Sequence, residues 1–152
     1  MPVAVSQTAR GLFLAIAILA CAGVVVSAIS LQHHYSTSDT SFCNISETIN
    51  CDVVNRSVYS KIFGIPVALV GIVGYVVLFA CATVFRSRRG IAKFLWFASC
   101  AGLVFALYLT YIEGWVLGVW CVLCLTSLGF ISAIAVCSTA VTFETQRAHG
   151  SQ

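Results

Sequence analysis

The chain is predicted to be an all-α integral membrane protein: a four-transmembrane-helix bundle with an outward-facing loop carrying a short lid helix. Three observations carry that prediction. Hydrophobic residues make up 60% of the 152-residue chain and charged residues only 9%, against about 25% charged in ordinary globular domains. Four apolar runs are each long enough to cross roughly 30 Å of hydrocarbon, which takes about 20 helical residues. The turns after the second and third runs are short, which makes those neighbours antiparallel, as in an up-down bundle. One domain, residues 1–152, is the expectation for this length. The net charge of +3 is small and scattered, so no nucleic-acid partner is expected. A disulfide-dense secreted scaffold is excluded, because such chains are polar and rich in loops.

The first helix is predicted over about residues 11–31, a run without charge. Val26-Ser27-Ala28 faintly resembles a cleavage site, but the apolar core exceeds the roughly 7–15 residues of a signal-peptide h-region, so retention is expected. The outer loop, residues 32–61, follows. Val54, Val58 and Ile62 are spaced i, i+4, i+8, one face of a short helix that is expected to lie across the bundle mouth as a lid. The second helix is predicted over 62–85, with Pro66 in its first turn, where a missing N–H costs little. The third is predicted over 92–112 and the fourth over 117–143. Glu113 is assigned to the rim, leaving the interior without buried charge. Gly64/Ala68 and Ala98/Gly102 have the small-xxx-small spacing of close helix packing. Tyr111, Trp115 and Trp120 suit an interfacial aromatic belt. The tail 147–152 is expected to be disordered.

Lys/Arg counting sets the orientation. Arg10, Arg86, Arg88, Arg89, Lys93 and Arg147 fall on one side; only Arg56 and Lys61 fall on the other. Both termini are therefore expected in the cytoplasm, and the loop 32–61 on the outer, periplasmic or lumenal face. A bacterial inner membrane is the expected location.

Eight cysteines divide by depth. Cys21, Cys81, Cys100 and Cys137 lie inside apolar helices, where cysteine usually acts as a small hydrophobe. Cys43, Cys51, Cys121 and Cys124 all fall on the outer face, which is the oxidising side. Cys121-Val122-Leu123-Cys124 opens the fourth helix, where free N–H groups and the helix dipole favour a thiolate. Taken alone, Cys43/Cys51 reads as a static loop staple. A Cys₄ zinc site is weighed and set aside, because structural zinc normally knits a small polar domain; no metal is expected. The lid could bring Cys51 to Cys121. An apolar bundle beside a dithiol suits an apolar two-electron acceptor, and a membrane quinone is the natural candidate.

Cys43, Cys51, Ser57, "YSKIFGIP" (residues 59–66) and "CVLC" (residues 121–124) occur in an order and spacing that resembles the vitamin K epoxide reductase family in its bacterial form. The resemblance covers about residues 10–145. It implies a four-helix bundle around a quinone of ubiquinone or menaquinone type, and oxidation of a thioredoxin-like (DsbA-like) protein in support of disulfide bond formation. Since this chain ends after the fourth helix, that partner is expected to be a separate protein. Matching positions imply that Cys43 exchanges with the partner, that Cys51 attacks the Cys121–Cys124 disulfide at Cys121, and that Cys124 faces the quinone. Ser57, Ser60, Phe63 and Cys124 are the implied quinone contacts. The vertebrate enzymes have a tyrosine where this chain has Leu128, and an asparagine where it has Ser60; both contact the vitamin K headgroup in that branch. Quinone reduction is therefore expected rather than epoxide reduction proper. The competing reading is a structural four-helix membrane protein whose loop disulfide merely holds an assembly surface.

Overall fold

A computed structural model describes residues 7–36 and 43–150. The element order is α1 (Gln7–Tyr35), α2 (Cys51–Arg56), a 3₁₀ turn (Val58–Ser60), β1 (Lys61–Ile62), β2 (Ile65–Pro66), α3 (Val67–Thr83), α4 (Ile91–Tyr111), a π-helical turn (Ile112–Leu117) and α5 (Val122–Gly150). Three helical segments are long and apolar enough to cross a membrane: Gln7–Tyr35, Ile91–Leu117 and Val122–Ala148. The fourth, α3, is apolar but only 17 residues long, the short limit for a span. Apolar side chains cover the outside as well as the inside. Leu14, Ile18, Val73, Phe97, Val104 and Val136 are exposed, while Phe13, Ile16, Leu95, Ile134 and Val141 form the core. Helices apolar all round belong in lipid. The chain is an integral membrane protein.

α1 packs chiefly on α3 and α5, and α5 on α4. The bundle therefore runs α3, α1, α5, α4 around its contacts, and the sequential pair α3 and α4 touch little. Buried Ser99 and Ser138 hydrogen-bond across α4 and α5 at 2.8 Å, satisfying both hydroxyls where water is absent. Gly102 lets the same helices approach: a Cβ there would sit 3.1 Å from Ile131. Gly23 on α1 lies against the ring of Tyr75 on α3 with no room for a side chain. The Tyr75 hydroxyl reaches α5, 2.8 Å from both the carbonyl and Oγ of Ser127.

Several sequence expectations shift at element ends. The lid face does not form as one helix. α2 stops at Arg56 because Ser57 turns extended (ψ 160°), which buries Val54 but leaves Val58 83% exposed. The second helix begins at Val67 rather than 62. Residues 61–66 form an antiparallel hairpin instead, whose two-residue turn, Phe63-Gly64, has φ of +51° and +81°, as a type I′ turn requires. Pro66 therefore precedes the helix instead of lying in its first turn, and Gly64 cannot pair with Ala68 on a helix face. The fourth helix starts at Val122 rather than 117, because Gly118 adopts φ +66° and residue 120 joins a strand bridge to Ile49. The expected disordered tail is helical through Gly150: Glu144, Gln146, Arg147 and Ala148 propagate a helix readily. Residues 151–152, and 37–42 of the outer loop, lie outside the described residues.

Candidate functional site

Asn50 organises the cysteines at the start of α2. Its side-chain oxygen caps α2, accepting from the N–H groups of Asp52 (3.1 Å) and Val53 (3.2 Å). Cys51 is the first residue of that helix and is disulfide-bonded to Cys43. α2 is held to the end of α1 by several bonds. Ser30 donates to Asn55 Oδ1 at 2.8 Å, His34 Nδ1 meets the Asn55 carbonyl, and His33 lies 3.4 Å from Asp52. Asn44 also donates to Asp52, at 2.8 Å.

The loop before α2 is zipped to the segment before α5. Trp120 N–H donates to the Thr48 carbonyl at 2.8 Å, and Asn50 N–H to the Trp120 carbonyl at 3.1 Å. These two bonds bring residues 70 apart in sequence together: Cys51 Sγ and Cys121 Sγ are 3.3 Å apart. Cys43, Cys51 and Cys121 are all buried, and Cys121 and Cys124 are free thiols.

Cys121 occupies the N-cap position of α5. Its thiol is pulled below the usual range, first by a hydrogen bond from Cys124 and also by the N–H groups of Cys124 and Leu123; burial and the nearby Glu113 charge oppose this. The cause is the one that makes helix starts hospitable to thiolates. Cys124 lies one turn further into the helix.

Sequence reasoning missed Glu113. It is not at the rim but 2% exposed. The π-helical turn Ile112–Leu117 carries it inward, and such insertions recur at functional sites. Glu113 Oε2 accepts the Cys121 N–H at 3.2 Å. The donor atoms of Glu113, Cys121 and Cys124 lie within 4.8 Å of one another. The available signal was a lone carboxylate in an apolar stretch eight residues before the Cys-x-x-Cys, since ionisable groups at membrane depth are costly and usually functional.

Beside this cluster lies a cavity of about 440 Å³. It is lined by α1, α3, α4 and α5 and walled mainly by apolar residues such as Val70, Leu78, Phe105 and Leu109, with Cys124 and Glu113 in its wall. Ser57, Ser60 and Asn55 also line it. The Ser57 and Ser60 hydroxyls donate to the carbonyls of Val54 (2.8 Å) and Ser57 (2.7 Å), so each keeps its oxygen as an acceptor. Asn55, a second residue missed from sequence, keeps a buried amide: its Nδ2 has no hydrogen-bond partner among the described residues. Phe63 is not brought to the cavity; it stands 101% exposed at the hairpin tip. Cys21, Cys81, Cys100 and Cys137 are free thiols within α1, α3, α4 and α5.

Removing the α2 cap gives the first test. Asn50→Ala should cost about 1 kcal/mol of local stability. Cys43–Cys51 should then be reduced several-fold faster by dithiothreitol, followed by counting alkylated cysteines. An unchanged reduction rate would mean that the cap does not guard the disulfide.

No individual curated protein matches the chain. A family model does, over residues 14–139, which include Cys43, Cys51, Cys121, Cys124 and every residue lining the cavity. By that match the chain belongs to the vitamin K epoxide reductase family of membrane oxidoreductases, which couple thiol–disulfide chemistry to quinones.

Proposed function

We propose that this protein is a quinone-dependent thiol oxidase. It takes electrons from a thioredoxin-like protein through Cys43/Cys51, passes them to Cys121/Cys124, and delivers them to a membrane quinone. The observation that carries the reading is the 3.3 Å approach of Cys51 to Cys121, with Cys124 lining an apolar cavity on the far side.

Exchange proceeds by thiolate attack through mixed disulfides. A partner thiolate attacks Cys43 and releases Cys51. Cys51 attacks Cys121 of the inner disulfide and releases Cys124. When the partner's second thiol frees Cys43, Cys43 attacks Cys51 and releases Cys121 as a thiolate. The end point is an outer disulfide and an inner dithiol, the same bonding the sulfurs have here. The lowered thiol of Cys121 makes it the better leaving group in the last step. Cys43 is 2% exposed, so the partner's attack needs the 43–50 segment to lift from Trp120.

The cavity suits a quinone. A bound quinone supplies a two-electron acceptor. The Asn55 amide can donate to a carbonyl oxygen, the Ser57 and Ser60 oxygens can accept from a hydroxyl, and the apolar walls keep water out. Leu128, packed against the core, supplies no phenol, which favours quinone over epoxide as substrate. The six-to-two distribution of Lys and Arg supports outward-facing cysteines with cytoplasmic termini, as in a bacterial inner membrane.

The test is trapping. Oxidised wild-type protein, mixed with a reduced thioredoxin-like partner that keeps only its attacking cysteine, should accumulate a Cys43–partner mixed disulfide on non-reducing gels, because Cys51 leaves as a thiolate and no second partner thiol can free Cys43. Coupling of the partner to Cys121 instead would overturn the order of transfer. Dithiol added to the wild-type protein with quinone should give a quinone-dependent absorbance change, and none would be seen from a purely structural membrane protein.

A further inference from the structure

Glu113 is buried in an uncharged bundle at a cost that hydrogen bonding only partly offsets. One carboxylate oxygen is used: Oε2 accepts the Cys121 N–H. The other, Oε1, is buried with no hydrogen-bond partner among the described residues, on a side chain that lines the cavity. The same carboxylate lies within 4.8 Å of the Cys124 sulfur. It thus stands between the sulfur that must lose a proton and the space in which a quinone oxygen must gain one. A residue needed only to cap α5 would not require a second, idle oxygen at the cavity wall.

We propose that Glu113 is the proton carrier between Cys124 and the quinone, a role that rests on the quinone-reductase reading above. The step balances as follows. The Cys124 S–H bond breaks and the Cys121 and Cys124 sulfurs join. Two electrons leave the pair for the quinone. The Cys124 proton passes to the Glu113 carboxylate and from there to one quinone oxygen, which returns Glu113 to its ionised form. Cys121 enters as a thiolate, so the second proton of the hydroquinone comes from water at the outer face. The Cys121 N–H bond to Oε2 holds the carboxylate in place while Oε1 is left for the transfer.

Glu113→Gln keeps an acceptor for the Cys121 N–H and removes the proton site. Fully prereduced, desalted protein is mixed with a short-chain ubiquinone or a short-chain menaquinone, and quinone loss is followed in a single turnover. The Gln variant should be slowed about 100-fold, the scale of a lost general acid–base group. Glu113→Asp should recover only about tenfold of that and so stay about tenfold below wild type, because its carboxylate is drawn back by one methylene. A second readout uses no quinone. Oxidised protein receives one equivalent of dithiothreitol, and the equilibrium share of free thiols on the outer and inner pairs is counted by alkylation and mass spectrometry. That share should stay within about threefold of wild type in the Gln variant.

The outcomes separate. A wild-type rate for Gln beside an active wild type overturns the carrier role and leaves the quinone-reductase reading standing. A slow Gln variant whose thiol distribution has also moved overturns it in favour of a purely structural role. A wild type that reduces neither quinone defeats the parent reading itself. Should Gln fail to fold, Asp decides: a rate within about threefold of wild type, despite a carboxylate drawn back by one methylene, overturns the carrier role, since a 1 Å displacement of a proton-transfer group is felt strongly.

Discussion

Cys124→Ala should lower quinone reduction by more than about a thousandfold, the scale on which loss of an essential reactive group is felt. The variant should not be inert, however. Cys121 would lose its resolving partner while remaining 3.3 Å from Cys51. Its attack on the outer disulfide would then stall as a Cys51–Cys121 mixed disulfide, visible as a Cys51- and Cys121-containing crosslinked peptide after non-reducing digestion. Undiminished quinone reduction would end the proposed scheme. The same variant has a titration consequence. The hydrogen bond from Cys124 is the main cause of the lowered Cys121 thiol. Removing it takes away a donor that stabilises the thiolate, so the midpoint for Cys121 must rise. In a Cys43→Ser/Cys51→Ser background, the pH midpoint of Cys121 alkylation should sit below the ordinary thiol range, near 8.5, and move up towards it when Cys124→Ala is added. A midpoint that stays put would mean that another group holds the charge.

The second large effect is on stability. Gly23→Val should destabilise the bundle by about 1–3 kcal/mol or more, the usual cost of overpacking a filled interior. The physical reason is that Tyr75 cannot move aside. Its ring lies against Gly23, and its hydroxyl is anchored 2.8 Å from two Ser127 oxygens on α5. A side chain at 23 must therefore either push α1 off α3 or break the anchor. Gly11→Val is the control, since a Cβ there meets nothing within 4 Å. Thermal unfolding in detergent should show a lower midpoint for the first variant and little change for the second. Equal midpoints would mean that the α1–α3 seam is looser than its geometry implies.

The helices were legible because apolar runs of membrane length announce themselves, and Cys43, Cys51, Cys121 and Cys124 stood out once the expected spans assigned them to one side. What escaped the sequence depends on contacts that periodicity does not encode. Residues 62–66 are apolar enough to continue a helix, and only the positive φ of Phe63 and Gly64 shows that they turn back as a hairpin. That turn carries Phe63 outward, whereas matching by family position had put it with the quinone contacts. Glu113 looked like a rim residue because a regular α-helix would leave it there; a π-helical turn, which adds a residue to the register, swings it inside. Asn55 drew no notice on the expected lid helix because its burial depends on Ser30, twenty-five positions away. The approach of Cys51 to Cys121 rests on two backbone bonds between Thr48, Asn50 and Trp120, and no local pattern predicts a bridge over that separation.

The burial of Cys43, Cys51 and Cys121 also sets how the protein communicates with its surroundings. Conductors that share a compartment with other carriers need insulation, and here the closed surface around the sulfurs provides it. At Cys43, Cys51 and Cys121 a small thiol from water meets other protein atoms before it meets sulfur, so leakage there is slow even where it is downhill. In the proposed scheme these three sulfurs are therefore shielded from the bulk redox buffer, and their oxidation state would record the last docked partner and the local acceptor rather than the ambient potential. A glutathione titration of the resting protein would consequently measure how often its surface opens before it measured any midpoint.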